Sequence, residues 1–423
     1  REKEGYGLSK NGLDWAKEQG ASLIITVDHG IVAFEQVQYA KSLGLKIIIT
    51  DHHVATDKIP KADAVIHSTA MCGAGVSWCL FQPDDLLELV AIATICDMMP
   101  LTGVNRWFVK EGLKQLQQTK RIGLLALFRQ AEISLEDVSP YHIGHILGPR
   151  LNAMGRLEHA IDSLRLICTN NPAQASKLAI LLHDTNSLKK QLTNDAIYQA
   201  KILADQLIKD GQKKILVLHS KDWIPGIIGL IAARLADEYQ LPTIIIAEGE
   251  SQSKASARTA QGINMIETIR LCSDLLIDVG GHPAAAGFTI TTENINQFIV
   301  KINQVIVTRD QVKDELLIDG DVLISDINRQ LYNRLSELEP FGLGNEKPIF
   351  ASRSVKPSDI KSVGEGGKHL KLKVDGIDAI AFGFGRLADL LNSQLMIDIA
   401  YYLELNKFNG RETLQLNIID IKT

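Results

Sequence analysis

The apolar positions of the first fifty residues form two short runs separated by a helical spacing. The runs ASLIITVDHGI (21–31) and LKIIIT (45–50) are rich in β-branched residues, and the segment 34–44 between them repeats apolar residues at helical intervals and ends in glycine. This order predicts strand, helix, strand. Because the second run is polar only at its edges, we expect it to be buried on both faces of a parallel sheet.

Helical spacing recurs in the middle of the chain, over 84–97, 104–119 and 158–168, and then over a long segment from about Pro172 to Lys209. A second alternation follows, with strand, helix and strand patterns at 213–220, 226–239 and 242–249. The second alternation predicts another α/β sheet and therefore another domain.

After about residue 312 the pattern changes to alternating strands, such as 368–374 and 413–421. The segment LNKFNGRE (405–412) carries an Asn-Gly turn signal between two alternating runs. This signal predicts a hairpin, and we expect it to belong to a small β-barrel.

Composition is typical of a globular protein, with 423 residues of which 45% are hydrophobic and 22% charged. No run approaches the ~18 apolar residues that span a bilayer, so we expect no membrane segment and a cytoplasmic location. The net charge of −5 gives no overall attraction for nucleic acid, which leaves only a local basic surface for such a partner. The five cysteines lack CxxC spacing, which argues against a disulfide framework and a zinc ribbon.

Acidic and imidazole side chains stand where the two predicted strands end. Asp28 follows the first strand, the triplet Asp51-His52-His53 follows the second, and Asp97 lies in TICDMMPL. A right-handed crossover brings both strand ends to one edge of the sheet, where open α/β sheets bind ligands. Mixed oxygen and nitrogen ligands suit Mn²⁺, and also Mg²⁺ or Fe²⁺, at least as well as zinc. The alternative is that each aspartate caps a helix or turn, which explains one aspartate better than it explains the set.

Three further segments combine cationic, hydroxyl and small residues that suit phosphate. GPRLNAMGRLEHA (148–160) holds Asn152 and Arg156, SKASARTAQGIN (253–264) surrounds Arg258, and DVGGHPAAAGF (278–288) offers a Gly-Gly-His turn with His282. Guanidinium groups and glycine-freed amides bind phosphate oxygens. A turn with a solvated arginine explains the first segment equally well. In the third segment, a tight turn that needs glycine explains Gly280 and Gly281 equally well, but not His282.

Eight motifs occur in the order seen in the bacterial RecJ family, and together they resemble that family over nearly the whole chain. They are VDHGI, TDHH, CGAGVSW, CDMMPL, PRLNAMGRL, SARTAQGIN, GGHPAAAGF and LEPFGLGNEKPIF. RecJ belongs to the DHH phosphoesterase superfamily. The resemblance implies a single-stranded-DNA-specific exonuclease of DNA repair and recombination, which acts from the 5′ end, releases 5′-mononucleotides and uses two Mn²⁺ or Mg²⁺ ions.

The resemblance also implies an α/β architecture in four parts. These would be a parallel-sheet DHH catalytic domain over 1–170, a long connecting helix over 171–209, a DHHA1-like α/β domain over 210–311 and an OB-like nucleic-acid-binding barrel over 312–423. A monomer is implied, with single-strand-binding protein and a helicase as partners.

The resemblance assigns roles to individual residues. Asp28, His52 and Asp97 would be metal ligands, while His53 would sit beside the scissile phosphate and Asp51 would orient an imidazole. The residues implied to contact phosphate or substrate are Asn152, Arg156, Ser256, Arg258, Gly281, His282 and Arg1, with Arg258 the candidate for the terminal 5′-phosphate. Lys368, His369, Lys371 and Lys373 would be DNA contacts only if they are more than the polar face of a strand, which is the favoured interpretation.

The family's first motif, an Asp-x-Asp that supplies metal carboxylates, would precede Arg1 and is absent from the sequence. We therefore expect weak metal binding and impaired catalysis from this chain. His29 is either an extra ligand or a bystander, and bystander is favoured. Two other functions stay open, namely a phosphodiesterase for oligonucleotides or cyclic dinucleotides, and a non-catalytic RecJ-like scaffold.

Overall fold

A computed structural model of the chain describes residues 7–157, 159–211, 214–259, 263–307, 315–392, 396–408 and 410–423. These residues form two compact units. The first unit contains the described residues up to Thr119 together with 135–144 and those from 315 onward, and the second contains 120–134 and the described residues of 145–314.

The first unit opens with a three-stranded parallel sheet in the order β1-β2-β3. The elements up to residue 119 are α1 (Lys10–Glu18), β1 (Leu23–Val27), α2 (Phe34–Ser42), β2 (Lys46–Asp51), β3 (Ala64–His67), α3 (Gly73–Phe81), α4 (Leu87–Cys96) and α5 (Gly103–Leu116). The predicted order of strand, helix and strand is confirmed. Ile47 and Ile49 of β2 are fully buried against Val37 of α2, and this packing fixes the strand register.

The second unit surrounds a five-stranded sheet in the order β4-β5-β6-β8-β7, in which only β4 and β5 run parallel. Its elements are α6 (Ile122–Gln130), α7 (Gly148–Leu157), α8 (Ile161–Cys168), α9 (Pro172–Lys209), β4 (Leu216–Ser220), α10 (Ile228–Tyr239), β5 (Thr243–Ala247), β6 (Gln252–Arg258), α11 (Met265–Arg270), β7 (Leu276–His282), β8 (Ala285–Thr291) and α12 (Ile295–Val305). The second predicted alternation of strand, helix and strand is confirmed as β4, α10 and β5.

The predicted long connecting helix is α9, and its start follows from its sequence. The Asn171 side chain accepts hydrogen bonds from the N–H groups of Ala173 and Gln174, and Pro172 occupies the first turn, where its missing N–H costs nothing. None of the helices in the described part of the chain combines the length and the apolar character that a bilayer crossing needs.

The C-terminal part of the first unit is a seven-stranded sheet in the order β11-β12-β13-β15-β14-β10-β9. Its elements are β9 (Gly320–Asp321), α13 (Arg329–Ser336), β10 (Phe350–Val355), β11 (Pro357–Val363), β12 (His369–Val374), β13 (Ile377–Ala381), α14 (Ala388–Asn392), β14 (Ile397–Phe408) and β15 (Arg411–Lys422). The hairpin predicted from the Asn-Gly signal is confirmed, since β14 and β15 pair antiparallel.

The predicted barrel needs a correction, because among the described strands this sheet is open. Its edge strands are β11 and β9, and no ladder joins them. β9 is only two residues long, so it offers too few backbone groups to close a barrel.

Within the first unit, a loop before β10 packs on the segment that follows α4. The Arg106 guanidinium donates hydrogen bonds to the backbone carbonyls of Glu337, Leu338 and Glu339, and the Leu101 N–H donates to the Leu343 carbonyl at 2.6 Å. The motif LEPFGLGN therefore fixes the backbone a few residues after Asp97.

Candidate metal centre and phosphate-binding residues

Asp28 occupies the turn at the end of β1, in a strained backbone conformation. Its φ of 67° lies in the left-handed region, and its N–H donates to the Thr50 carbonyl at 2.9 Å. Gly73, the first residue of α3, is so close that a Cβ there would lie 2.3 Å from Asp28 Oδ1. Because Gly73 has no side chain, the Asp28 carboxylate can occupy this space.

His52 stands between two carboxylates. Its Nε2 lies 3.1 Å from Asp28 Oδ1 and 3.5 Å from Asp97 Oδ2, and its side chain is only 14% exposed. One ligand atom each from Asp28, His52 and His53 lie within 4.8 Å of one another. The structure therefore brings together the three residues predicted as metal ligands, with His53 at their side.

The carboxylates of this cluster repel each other. Burial raises the pKa of Asp97, and the negative charge of Asp28 raises it further, while His52 opposes the shift. A divalent cation relieves such repulsion, since it attracts both carboxylates. The donor set of carboxylate oxygens and an imidazole nitrogen, without a thiolate, fits Mn²⁺ or Mg²⁺.

Asp51 is buried behind the cluster and holds His53. Its Oδ1 accepts hydrogen bonds from His53 Nδ1 at 2.7 Å and from the N–H groups of His52 and His53, while its Oδ2 accepts from the Ile31 N–H at 2.9 Å. Burial alone would raise the pKa of Asp51, but these bonds lower it below its ordinary value. Asp51 therefore stays ionised and fixes the ring of His53, leaving its Nε2 free.

Two residues beside the cluster were not predicted as functional. Gly73 belongs to a quoted motif, yet its role depends on a contact that only the fold creates. His67 ends β3, and its Nε2 lies 2.6 Å from the His53 carbonyl oxygen. A histidine at the end of a third strand is the same signal that indicated the Asp51 triplet, so the sequence pattern could also have indicated His67.

His29 lies near the cluster but is not among the side chains whose ligand atoms converge. Its Nδ1 is buried and has no hydrogen-bond partner among the described residues, and burial lowers its pKa despite the nearby Asp51 and Asp28. His29 is therefore held in its neutral form.

The predicted phosphate-binding residues lie in the second unit. Asn152 and Arg156 are one turn apart on α7, so this segment is a helix and not the turn considered as an alternative. Arg258 ends β6, where its Nη1 donates to Ser256 Oγ at 3.1 Å and to the Ala257 carbonyl at 2.8 Å. Burial first, and then the charge of Arg156, lower the pKa of Arg258, so the two guanidinium groups are near each other.

The Gly-Gly-His segment is not a turn as predicted, because Gly280, Gly281 and His282 form the end of strand β7. β7 is an edge strand, and glycine within a strand often marks a close approach of another backbone. Gly281 has a φ of 143°, and a Cβ there would lie 2.4 Å from the Ala285 carbonyl oxygen, so only glycine fits. His282 is exposed at the strand end. Arg1 lies outside the described residues.

The basic residues considered as DNA contacts lie on or beside β12. His369 Nδ1 accepts a hydrogen bond from the Gly383 N–H at 3.1 Å, and Lys373 Nζ lies 3.8 Å from Asp359 Oδ2. These two contacts and the exposure of Lys371 are all consistent with the polar face of a strand.

Three family models match consecutive parts of the chain. They are the DHH family N-terminal domain over residues 3–96, the DHHA1 domain over 212–308 and the RecJ OB domain over 318–420. A DHH domain followed by a DHHA1 domain defines the class.

Individual relatives indicate which family of this class the chain resembles. The single-stranded-DNA-specific exonuclease RecJ of Salmonella typhimurium is 30% identical over 468 residues, which cover 100% of this chain and 81% of the relative. RecJ of Bacillus subtilis is 31% identical, covering 99% of this chain and 56% of the relative, so the chain spans little more than half of that protein. The crystal structure of RecJ in complex with Mn²⁺ from Thermus thermophilus has a TM-score of 0.85 and 28% identity, covering 97% of this chain and 63% of that chain.

The chain belongs to the RecJ family. The resemblance that the eight motifs predict is thus confirmed, and so is the α/β fold with DHH, DHHA1 and OB-type parts.

Proposed function

We propose that this chain carries the nuclease core of a single-stranded-DNA-specific exonuclease, which hydrolyses phosphodiester bonds from the 5′ end and releases 5′-mononucleotides. The observation that carries the proposal is the convergence of Asp28, His52 and Asp97 within 3.5 Å contacts at the carboxyl edge of a parallel sheet. The family relationship gives the reaction its substrate class.

Mn²⁺ or Mg²⁺ is the proposed cofactor, with two ions in the intact site. Asp28, His52 and Asp97 would hold metal, since their donor atoms converge and their carboxylates lack another cation in the described structure. When bound, a divalent ion supplies Lewis-acid activation of the phosphate and a hydroxide nucleophile at neutral pH.

The remaining residues of the cluster position the substrate. Asp51 accepts a hydrogen bond from Nδ1 of His53, which selects one tautomer and points Nε2 outward. His53 can then donate or accept a proton at Nε2 beside the scissile phosphate. Asp51 is a positioning residue in this proposal, because it acts through His53.

The second unit would supply the contacts to the strand. Arg156 and Asn152 would bind a phosphate of the strand, and Arg258, with Ser256, would bind the terminal 5′-phosphate. Gly281 and His282 would line the same substrate path. Arg1 keeps the role that the family resemblance implies.

Other features of the proposal follow the family. The four segments 1–170, 171–209, 210–311 and 312–423 would be the working domains. The protein would act in DNA repair and recombination in the cytoplasm, as a monomer, alongside single-strand-binding protein and a helicase.

The test measures mononucleotide release from single-stranded DNA with a 5′-phosphate in the presence of Mn²⁺. It is run on the 423-residue chain and on the same chain extended at Arg1 by an Asp-x-Asp segment, since the resemblance assigns further metal carboxylates there. Asp97→Asn should abolish release, whereas Asp57→Asn, an exposed aspartate on the loop after the cluster, should not change it.

Release that starts at the 5′ end and requires Asp97 supports the proposal. If neither form of the chain cuts while both bind single strands, the scaffold function takes its place. Cleavage that survives Asp97→Asn removes this cluster as the nuclease site.

A further inference from the structure

Lys189 has a mostly buried side chain whose ammonium group has no partner among the described residues. The residue lies in the middle of α9 and is only 8% exposed, and its ammonium group has no hydrogen bond or ion pair with any described residue. A buried ammonium is costly unless an anion or hydrogen-bond acceptors compensate it. This mostly buried position therefore favours an anionic ligand beside the ammonium group.

The face of α9 around Lys189 is polar although it is buried. Thr185, Asn186, Lys189 and Thr193 are each less than 10% exposed and share one side of the helix. The Asn186 Oδ1 atom is buried without a hydrogen-bond partner among the described residues. Apolar residues would pack more favourably here, so this polar face indicates a site and not a core.

The charge that faces Lys189 from a neighbouring element is also positive. Burial is the main cause that lowers the pKa of Lys189 to about 8, and the charges of Arg156 and Lys190 lower it further. Arg156 in turn lowers the pKa of Arg258. The charge of Arg156 on α7 thus repels both Lys189 on α9 and Arg258 on β6, and neither Lys189 nor Arg258 has a carboxylate partner in the described structure.

The first turn of α10 adds to this positive region. A Cβ on Gly229 would lie 3.1 Å from Arg258 Nη2 and 3.2 Å from Ser256 Oγ, so the helix begins directly against these side chains. A helix N-terminus carries partial positive charge and repels a guanidinium unless an anion lies between them. The cluster therefore has the charge and donors of a phosphate site.

We propose that Lys189 is a further substrate-binding residue, which together with Arg156 and Arg258 binds the terminal 5′-phosphate of the DNA strand. The inference rests on the proposed function and adds a residue to it. A terminal phosphate carries a charge of roughly −1.5 to −2, against −1 for an internal phosphodiester, so a third cation favours the strand end. Lys189 would thereby help to set the polarity of the enzyme.

The test is the ratio of two dissociation constants, measured by fluorescence anisotropy in EDTA on the full chain. The probes are 3′-labelled single-stranded oligonucleotides with a 5′-phosphate or a 5′-hydroxyl. The variants are Lys189→Met, Lys189→Arg and, as matched control, Lys190→Met, because Lys190 is the exposed neighbour on the same helix. Thermal unfolding of each variant is recorded alongside, and Lys189→Arg separates loss of charge from loss of folding.

We expect the wild-type chain to bind the 5′-phosphorylated strand about tenfold more tightly, as charge-assisted hydrogen bonds would give. Lys189→Met should cut the preference to about twofold, while Lys189→Arg and Lys190→Met should keep it. An unchanged preference in Lys189→Met, or no preference in the wild type, overturns the inference. Since binding in EDTA requires no hydrolysis, failure of the nuclease proposal is a separate result.

Discussion

At the scale of residues, the proposed metal centre depends on the absence of a side chain at Gly73. Asp28 has a left-handed backbone and its carboxylate fills the space where a Cβ on Gly73 would be. Any side chain at this position must push the carboxylate away from His52.

We therefore predict that Gly73→Ala lowers the Mn²⁺ affinity of the chain at least about tenfold, because one ligand moves out of place. Gly75→Ala is the control, since a Cβ there meets Phe108 at 3.2 Å and does not approach Asp28. Isothermal titration with Mn²⁺ measures both. Equal affinities in the two variants would show that Asp28 is not held by this contact.

Asp51 gives a second prediction at the same scale. Both carboxylate oxygens of Asp51 accept hydrogen bonds, whereas asparagine has one oxygen and one NH2 group. In Asp51→Asn the NH2 group must therefore face another donor, either a backbone N–H or His53. We expect a loss of about 2–4 kcal/mol in the free energy of unfolding, measured with urea.

Asp63→Asn is the matched control for Asp51→Asn, because Asp63 accepts a single hydrogen bond, from the Ile47 N–H. Its expected loss is about 1 kcal/mol. Similar losses in the two variants would contradict the role assigned to the Asp51 network.

Sequence reasoning reached part of the site at this scale. Asp28 and the Asp51 triplet were found because acids and imidazoles at strand ends share one edge of a parallel sheet. Gly73 and Lys189 were missed, because their roles come from a contact between elements and from burial, neither of which a sequence pattern records.

At the scale of elements, strong hydrophobic periodicity predicted helices and strands correctly, whereas glycine-rich sequence predicted a turn less well. β1, β2, α9 and the β14-β15 hairpin follow from apolar spacing and a turn signal. Gly280 and Gly281 were interpreted as a turn, but they pair with β8 in a strand, and the backbone at Ala285 comes too close to Gly281 for a side chain. The predicted barrel closure failed since closure depends on pairing between edge strands that no local pattern specifies.

The polar face of α9 makes a prediction about pH. The pKa of Lys189 is lowered to about 8, and the charged groups that cause this beside burial are Arg156 of α7 and Lys190 of α9 itself. Lys189 loses its charge as the pH rises through about 8, so preference for a 5′-phosphate should fall between about pH 7 and 9. Lys189→Arg should keep the preference across this range, and a falling preference in that variant would contradict the assignment.

A rise in pH should have the opposite effect on the contribution of Lys189 to stability. In the unfolded chain a lysine keeps its proton up to about pH 10.5, so the unfolded state binds more protons between about pH 8 and 10.5. The contribution of Lys189 to the free energy of unfolding therefore rises with pH in that range. A urea titration of wild type and Lys189→Met should show the smaller rise in the variant.

At the scale of the whole molecule, the order of DHH, DHHA1 and OB-type parts places the chain in the RecJ family. Motif order was sufficient to predict this membership, since eight motifs constrain a chain far more than one triplet does. The chain spans 56% of the Bacillus subtilis relative and 81% of the Salmonella typhimurium relative. Activity measured on this chain is therefore informative about the part of the relatives that it covers.

The central claim is that Asp28, His52 and Asp97 form a divalent metal site. An anomalous difference map from crystals of the chain soaked in Mn²⁺ tests it most directly. We predict a peak within coordination distance of the carboxylates of Asp28 and Asp97 and of His52 Nε2, and its loss in Asp97→Asn. Manganese bound elsewhere, with no peak at these three side chains, would contradict the account.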